Sequence, residues 1–203
     1  MKALYVTDRR AAGDARFEAT LSALSGASGL LVQVREKGTP DRECLHWARL
    51  ARRELGAEVP LYVNRRLDIA LAAGADGVHL PANGLPLARV RSAAPRGFRV
   101  GVSTHSAAEA LSAIEEGADL VLLGPIFDTP SKRDYGPPLG PEALAALPRQ
   151  AGHSAEIFAI GGITEETLDR LEPYRDRIRG VAAIRLFQEA PDARAVAERI
   201  ALR

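Results

Sequence analysis

Cysteine is almost missing from this sequence: Cys44 stands alone, so no internal disulfide can form and no cysteine metal site can be assembled. That suits a reducing cytoplasm, the expected location, with Cys44 as buried filler. Lysine is nearly as scarce, since 24 arginines are accompanied only by Lys2, Lys37 and Lys132, which makes each lysine a rare choice. Charge of one sign is lacking too. The 27 basic side chains meet 26 acidic ones, and a net charge of +1 gives no electrostatic reason to expect nucleic acid or an anionic membrane as partner. There is no charged leader and no long apolar run, because the chain goes straight into an apolar strand at Ala3 to Val6; neither a signal peptide nor a membrane span is expected. The expected partner is a small molecule, and homo-oligomer formation is compatible with such a surface.

What is present is a regular alternation. With 203 residues, 46% of them hydrophobic, the chain can bury one full-sized core and sits near the lower end of the size range of a (β/α)₈ barrel; a second domain is not expected. Short runs rich in Val, Ile and Leu predict strands at Ala3 to Thr7, Gly29 to Val34, Leu61 to Val63, Gly77 to Leu80, Arg99 to Val102, Leu120 to Leu123, Ile157 to Ile160 and Gly180 to Ile184. A helix-compatible segment follows each. Ser106 to Glu116 carries Ala107, Ala110, Leu111 and Ile114 at helical spacing, and Pro191 to Leu202 carries Ala195, Val196, Ile200 and Leu202. Glycines at 56, 74 and 117 are placed to take left-handed caps. Eight such pairs predict an α/β protein with parallel strands, either closed or doubly wound. Polar clusters after nearly every strand favour the closed form, a single TIM barrel over residues 1–203, whose chemistry sits on the loops at strand C-termini.

The second strand ends in Gln33-Val34-Arg35-Glu36-Lys37, where alternation points Gln33, Arg35 and Lys37 to one side. A donor and two cations at one mouth suit phosphate or pyrophosphate, since Arg forks to its oxygens and Lys acts as a point charge. The third strand leads into Asn64-Arg65-Arg66 and Asp68, and the fifth into Ser103-Thr104-His105-Ser106. Ser106 can cap the next helix with Glu109 as its box partner; His105 can act on substrate or pack as a loop residue; His79 is expected in the barrel interior or against helices. The long loop from Pro125 to Gly140 holds Thr129, Ser131 and Lys132, a candidate anion clamp. After the seventh strand, Gly161-Gly162 precedes a helix, an arrangement whose free amides can hold phosphate, and Arg185 beyond strand eight can add a cation or form a surface salt bridge.

Six segments in order, Leu4-Tyr5-Val6-Thr7-Asp8, Gln33 to Lys37, Gly74 to Leu80, Gly101 to Ser106, Gly124 to Lys132 and Ala159 to Ile163, resemble the thiamine phosphate synthase/TenI family over almost the whole chain. The resemblance implies a (β/α)₈ barrel acting on thiazole phosphate in thiamine biosynthesis. In a synthase, groups matching Gln33, Arg35, Lys37, Asn64, Ser103 and Lys132 hold a pyrimidine pyrophosphate, and groups matching Thr129, Ser131 and Gly162 hold the thiazole phosphate. A magnesium ion accompanies that chemistry in the family, neutralising the departing pyrophosphate.

The chain departs from the synthase pattern where the family has metal-binding aspartates: Arg65 stands at one position and, after the His79-Leu80 pair, Asn83 at the other. Position 185 is Arg in place of the family's Ser. Asn64, Arg66, Asp68 and Leu80-Pro81 are similar to the TenI branch, which isomerises a thiazole phosphate by proton transfer without metal. That branch's histidine falls at Pro125, leaving His105 as the acid/base candidate. The reading at this stage is a thiazole tautomerase with no cofactor and no metal ligand. The alternatives are a thiamine phosphate synthase, with Mg only in that case, and a non-catalytic binder of thiamine intermediates.

Overall fold

The eight apolar runs become eight parallel strands: β1 (Lys2–Val6), β2 (Leu30–Val34), β3 (Leu61–Asn64), β4 (Gly77–Leu80), β5 (Arg99–Thr104), β6 (Leu120–Leu123), β7 (Glu156–Ile160) and β8 (Gly180–Ala183). In the computed structural model, which describes residues 1–129 and 136–203, they pair in sequential order and β8 closes onto β1, with Ala3 beside Val181 and Leu4 beside Ala182. Closure leaves no sheet edge. The open doubly wound alternative is thereby excluded.

Strand alternation sorts the apolar residues into two sets. Leu4, Val6, Leu31, Tyr62, Leu120, Leu122, Phe158 and Ala182 pack together inside the barrel, while the neighbouring positions, among them Tyr5, Val32, Val63 and Val121, join the larger layer beneath the helices. Two glycines make room for the inward rings. A Cβ at Gly77 would lie 2.5 Å from the Tyr62 ring, and one at Gly101 would lie 2.5 Å from His79 Nδ1. The N-terminal end of the barrel is closed by Glu156, which pairs with Lys2 and lies 3.5 Å from Arg179.

The jacket consists of α1 (Arg9–Ala12), α2 (Asp14–Ala23), α3 (Asp41–Leu55), α4 (Leu67–Ala72), α5 (Leu87–Ala93), α6 (Ala107–Glu115), α7 (Glu165–Leu168), α8 (Arg185–Gln188) and α9 (Ala193–Ala201). The longest, α3, buries Cys44, Trp47, Ala48, Ala51 and Leu55 along one stripe. Gly56, Gly74 and Gly117 do take positive φ at helix ends. Two expected stripes need correction, because Leu111 and Leu202 are exposed, the latter lying just past the end of α9. After β6 the described residues form only 3₁₀ turns, at Pro141–Ala146 and Gln150–Gly152, where an α-helix was expected; Pro137, Pro138, Pro141 and Pro148 withhold the amides a longer helix needs. No helix among the described residues is long and apolar enough to cross a membrane.

Candidate functional site

At the C-terminal end of β2 the strand stops at Val34, so Arg35 and Lys37 stand beyond the last residue whose side strand alternation sets. Gln33 is buried inside the barrel and its Nε2 donates to Asn64 Oδ1 at 3.3 Å, leaving Gln33 Oε1 without a partner among the described residues. Arg35 is half-buried and Lys37 is exposed further out. Arg35 forms no ion pair with a carboxylate among the described residues; burial pushes its pKa down, and the charges of Asp8 and Glu36 pull it back.

The intervening Glu36 turns inward. Its carboxylate accepts from Thr7 Oγ1 at 2.8 Å and lies 3.5 Å from Arg9 Nε, and the same threonine oxygen accepts the Arg35 amide at 3.0 Å. Burial raises the Glu36 pKa, against the opposing bonds from Thr7 and Arg9. Arg9 is itself stacked 4.6 Å over the Trp47 ring and bonded to Glu43 at 2.7 Å. This buried assembly holds the backbone that carries Arg35. It was missed from sequence, although Thr7 and Glu36 both lie within the quoted motifs.

Beside Asn64, Arg65 is exposed at φ 68°, the only non-glycine residue at positive φ among the described residues, and its amide donates to the His79 carbonyl at 2.8 Å. Arg66 is engaged with Asp41 and with Asp68 at 2.6 Å. From β4, His79 points into the barrel as expected, but its Nε2 lies 2.8 Å from Ser103 Oγ, so it supports a predicted binding residue. Burial, and secondarily the Arg35 charge, push the His79 pKa down to about 3, which keeps the ring neutral.

His105 is exposed at the end of β5, with Nδ1 2.7 Å from the Gly124 carbonyl oxygen. A carbonyl can only accept, so Nδ1 carries the proton and the lone pair of a neutral ring sits on Nε2. Ser106 caps α6 through the Glu109 amide as expected, but the Glu109 carboxylate bonds the amide of His105 and not that of Ser106.

Across the mouth, the β6 and β7 loops are locked together. Ile126 and Phe127 donate their amides to the carbonyls of Ile160 and Gly161 at 2.8 and 3.0 Å. Gly161 and Gly162 have φ of 97° and 65°, and a Cβ on either would lie 2.6 Å from Pro125 or from Phe127 and Asp128. Only glycine fits at both. The Gly162 amide has no protein acceptor among the described residues, and a loop amide of this kind is a donor that a phosphate oxygen can accept from. Thr129 is half-buried near this loop, Arg185 is exposed at the start of α8, and Ser131 and Lys132 lie outside the described residues.

The rim therefore carries Arg35 with Gln33 and Asn64 over β2 and β3, and the glycine pair after β7, with Arg185 exposed at the start of α8. Among the described residues no group of three or more His, Cys, Asp or Glu side chains is placed to hold a metal ion.

The family model described as thiamine monophosphate synthase matches residues 3–187. A putative thiamine-phosphate synthase of Geobacter sulfurreducens is 40% identical over 192 residues, covering 93% of this chain and 87% of its own. A thiamine-phosphate synthase of Methanoculleus marisnigri is 41% identical over 185 residues, covering 89% and 86%. A solved structure described as a thiamine phosphate pyrophosphorylase from Pyrococcus furiosus aligns with a TM-score of 0.78 at 27% identity, over 99% of this chain and 94% of that one. These names support the synthase alternative and give no support to the tautomerase expectation. That expectation rested on a few residues around the third and fourth strands, whereas the match extends over nearly the whole barrel.

Proposed function

Because the chain belongs to the thiamine monophosphate synthase family, we propose that it is a thiamine-phosphate synthase, joining a pyrimidine pyrophosphate to a thiazole phosphate. The observation that carries this reading is that groups suited to phosphate stand at two separate places on one barrel mouth, Arg35 with Gln33 and Asn64, and the Gly161-Gly162 turn. A tautomerase has one phosphorylated substrate to hold, whereas a condensation has two and must bring their reacting ends together between the anchors. Arg35, Gln33, Asn64, Ser103 and Lys37 bind the pyrimidine pyrophosphate, with Lys132 from the long loop. Gly161, Gly162, Thr129, Ser131 and Arg185 bind the thiazole phosphate. The thiazole nitrogen attacks the pyrimidine methylene carbon; the C–N bond forms, the C–O bond breaks, and pyrophosphate leaves with that electron pair. The protein's part is positioning, together with cations and amides aimed at the developing charge.

One observation favours a second reading. The Gly124 carbonyl fixes the His105 tautomer, which is what a general base needs. Thiamine phosphate formation followed by fluorescence, beside carboxylated thiazole tautomers followed by NMR, separates the two. Condensation without tautomerisation supports the synthase; tautomerisation alone, abolished by His105→Ala, would replace it.

A further inference from the structure

The family's magnesium does not fit the described residues on the β2–β5 side of this mouth. Magnesium recruits a carboxylate or two in a near-octahedral oxygen shell, yet no Asp or Glu occurs in the sequence between Asp76 and Glu109, so β4, β5 and their following loops bring none. On the β2–β3 side, Glu36 is bonded inward to Thr7 and Arg9, while Asp41 and Asp68 are engaged by Arg66. At the place where the family resemblance leads one to expect a metal aspartate stands Arg65, whose charge repels a divalent cation.

Arg65 is not an idle surface residue. Its backbone is left-handed, a conformation unfavourable to a side-chain-bearing residue, and its amide is pinned to the His79 carbonyl. Arg65 follows Asn64, which bonds Gln33 over the barrel interior. Its guanidinium has no carboxylate partner among the described residues, and neither has that of the half-buried Arg35. Arg35 is half-buried and meets Asp8 and Glu36 only through their more distant charges, whereas Arg65 is exposed beside it at the end of the adjacent strand. Two arginines so placed, neither in an ion pair among the described residues, suit an anion that both can reach.

We propose that Arg65 and Arg35 together replace the divalent ion, so that the protein takes the pyrophosphate group free of metal. This rests on the synthase reading for its substrate, and it assigns the site's ligand class as a metal-free pyrophosphate monoester. Each guanidinium forks to the phosphoryl oxygens, and the charge that arrives on pyrophosphate with the C–O electron pair is met by fixed cations.

The test is calorimetric titration of inorganic pyrophosphate into the protein in EDTA and in excess magnesium, with Arg65→Ala, Arg65→Asn and Arg65→Asp. Asparagine tolerates the left-handed backbone, so it removes the cation without disturbing the turn. Pyrophosphate is expected to bind in EDTA with no gain from magnesium. Arg65→Ala and Arg65→Asn should each weaken binding about ten-fold, and Arg65→Asp should make it magnesium-dependent. Binding to the unaltered protein only with magnesium, or at least ten-fold tighter with it, overturns the proposal, as does unchanged affinity in Arg65→Asn. The condensation assay run in the same two buffers keeps the two claims apart. Turnover only with magnesium removes metal independence and leaves the synthase. Absence of turnover in both buffers, with metal-free pyrophosphate binding intact, removes the synthase and leaves the anion site.

Discussion

Replacing His79 by glutamine should flatten the acid side of the stability curve. The imidazole is enclosed in the barrel, level with Asn64 on one neighbouring strand and Gly101 on the other, and its pKa falls from the usual 6.5 to about 3, first because of burial and then because of Arg35. Between those values the unfolded chain binds a proton that the folded barrel refuses. Stability from this group is complete above about pH 6.5 and is lost as pH falls towards 3, at a little over 1 kcal/mol per pH unit where the slope is full. Integrated from pH 7.5 down to pH 5, the loss is about 2 kcal/mol. Glutamine keeps an amide able to reach Ser103 Oγ, the partner of His79 Nε2, and does not titrate. Urea unfolding of both proteins at the two pH values, at constant ionic strength, cancels the carboxylates they share. The unaltered protein should lose about 2 kcal/mol more than His79→Gln. Equal losses would refute the claim that the barrel holds this histidine neutral.

Arg35→Ala should raise KM for the pyrimidine pyrophosphate by roughly 10- to 100-fold, the worth of charge-assisted bonds to phosphate, with little change in melting temperature because no carboxylate among the described residues is ion-paired with it; steady-state kinetics beside calorimetry reads both. Thr7→Val leaves the Glu36 carboxylate and the Arg35 amide short of a buried partner, and denaturant unfolding should show a loss of about 1–3 kcal/mol. Gly162→Ala places a methyl 2.6 Å from Asp128 and Phe127 at φ 65°, so KM for thiazole phosphate should rise far more than KM for the pyrimidine substrate. Glu156→Gln, at the opposite end of the barrel, should lower stability by roughly 1 kcal/mol while kcat/KM stays within two-fold, because the chemistry is confined to the C-terminal rim.

Much of the scaffold is written locally. The strands Gly77–Leu80 and Leu120–Leu123 occur where the apolar runs place them, since β-branched and aliphatic residues bounded by glycine and polar turns carry their own period. Glycine at 56, 74 and 117 marks helix ends for an equally local reason, the steric freedom of a left-handed cap. The Gly161-Gly162 turn, with both residues at positive φ, could also be anticipated from sequence, because a glycine pair follows the seventh strand and precedes a helix.

Other features depended on contacts between distant segments. No periodicity shows that β8 reaches β1, that Glu36 leaves the Arg35 side to bond Thr7, or that His79 meets Ser103. Strand alternation covers Gln33 but stops short of Arg35 and Lys37, because the strand ends at Val34, and where a strand ends is set by what its neighbours offer to bond. Sequence determined the elements, their order and the types of group at the mouth, because propensity and pattern act over a few residues. Tertiary structure alone decided which of those groups touch, which are neutralised inward and which, like Arg35, are left without an ion-pair partner among the described residues, because barrel closure and stagger join residues far apart in the chain.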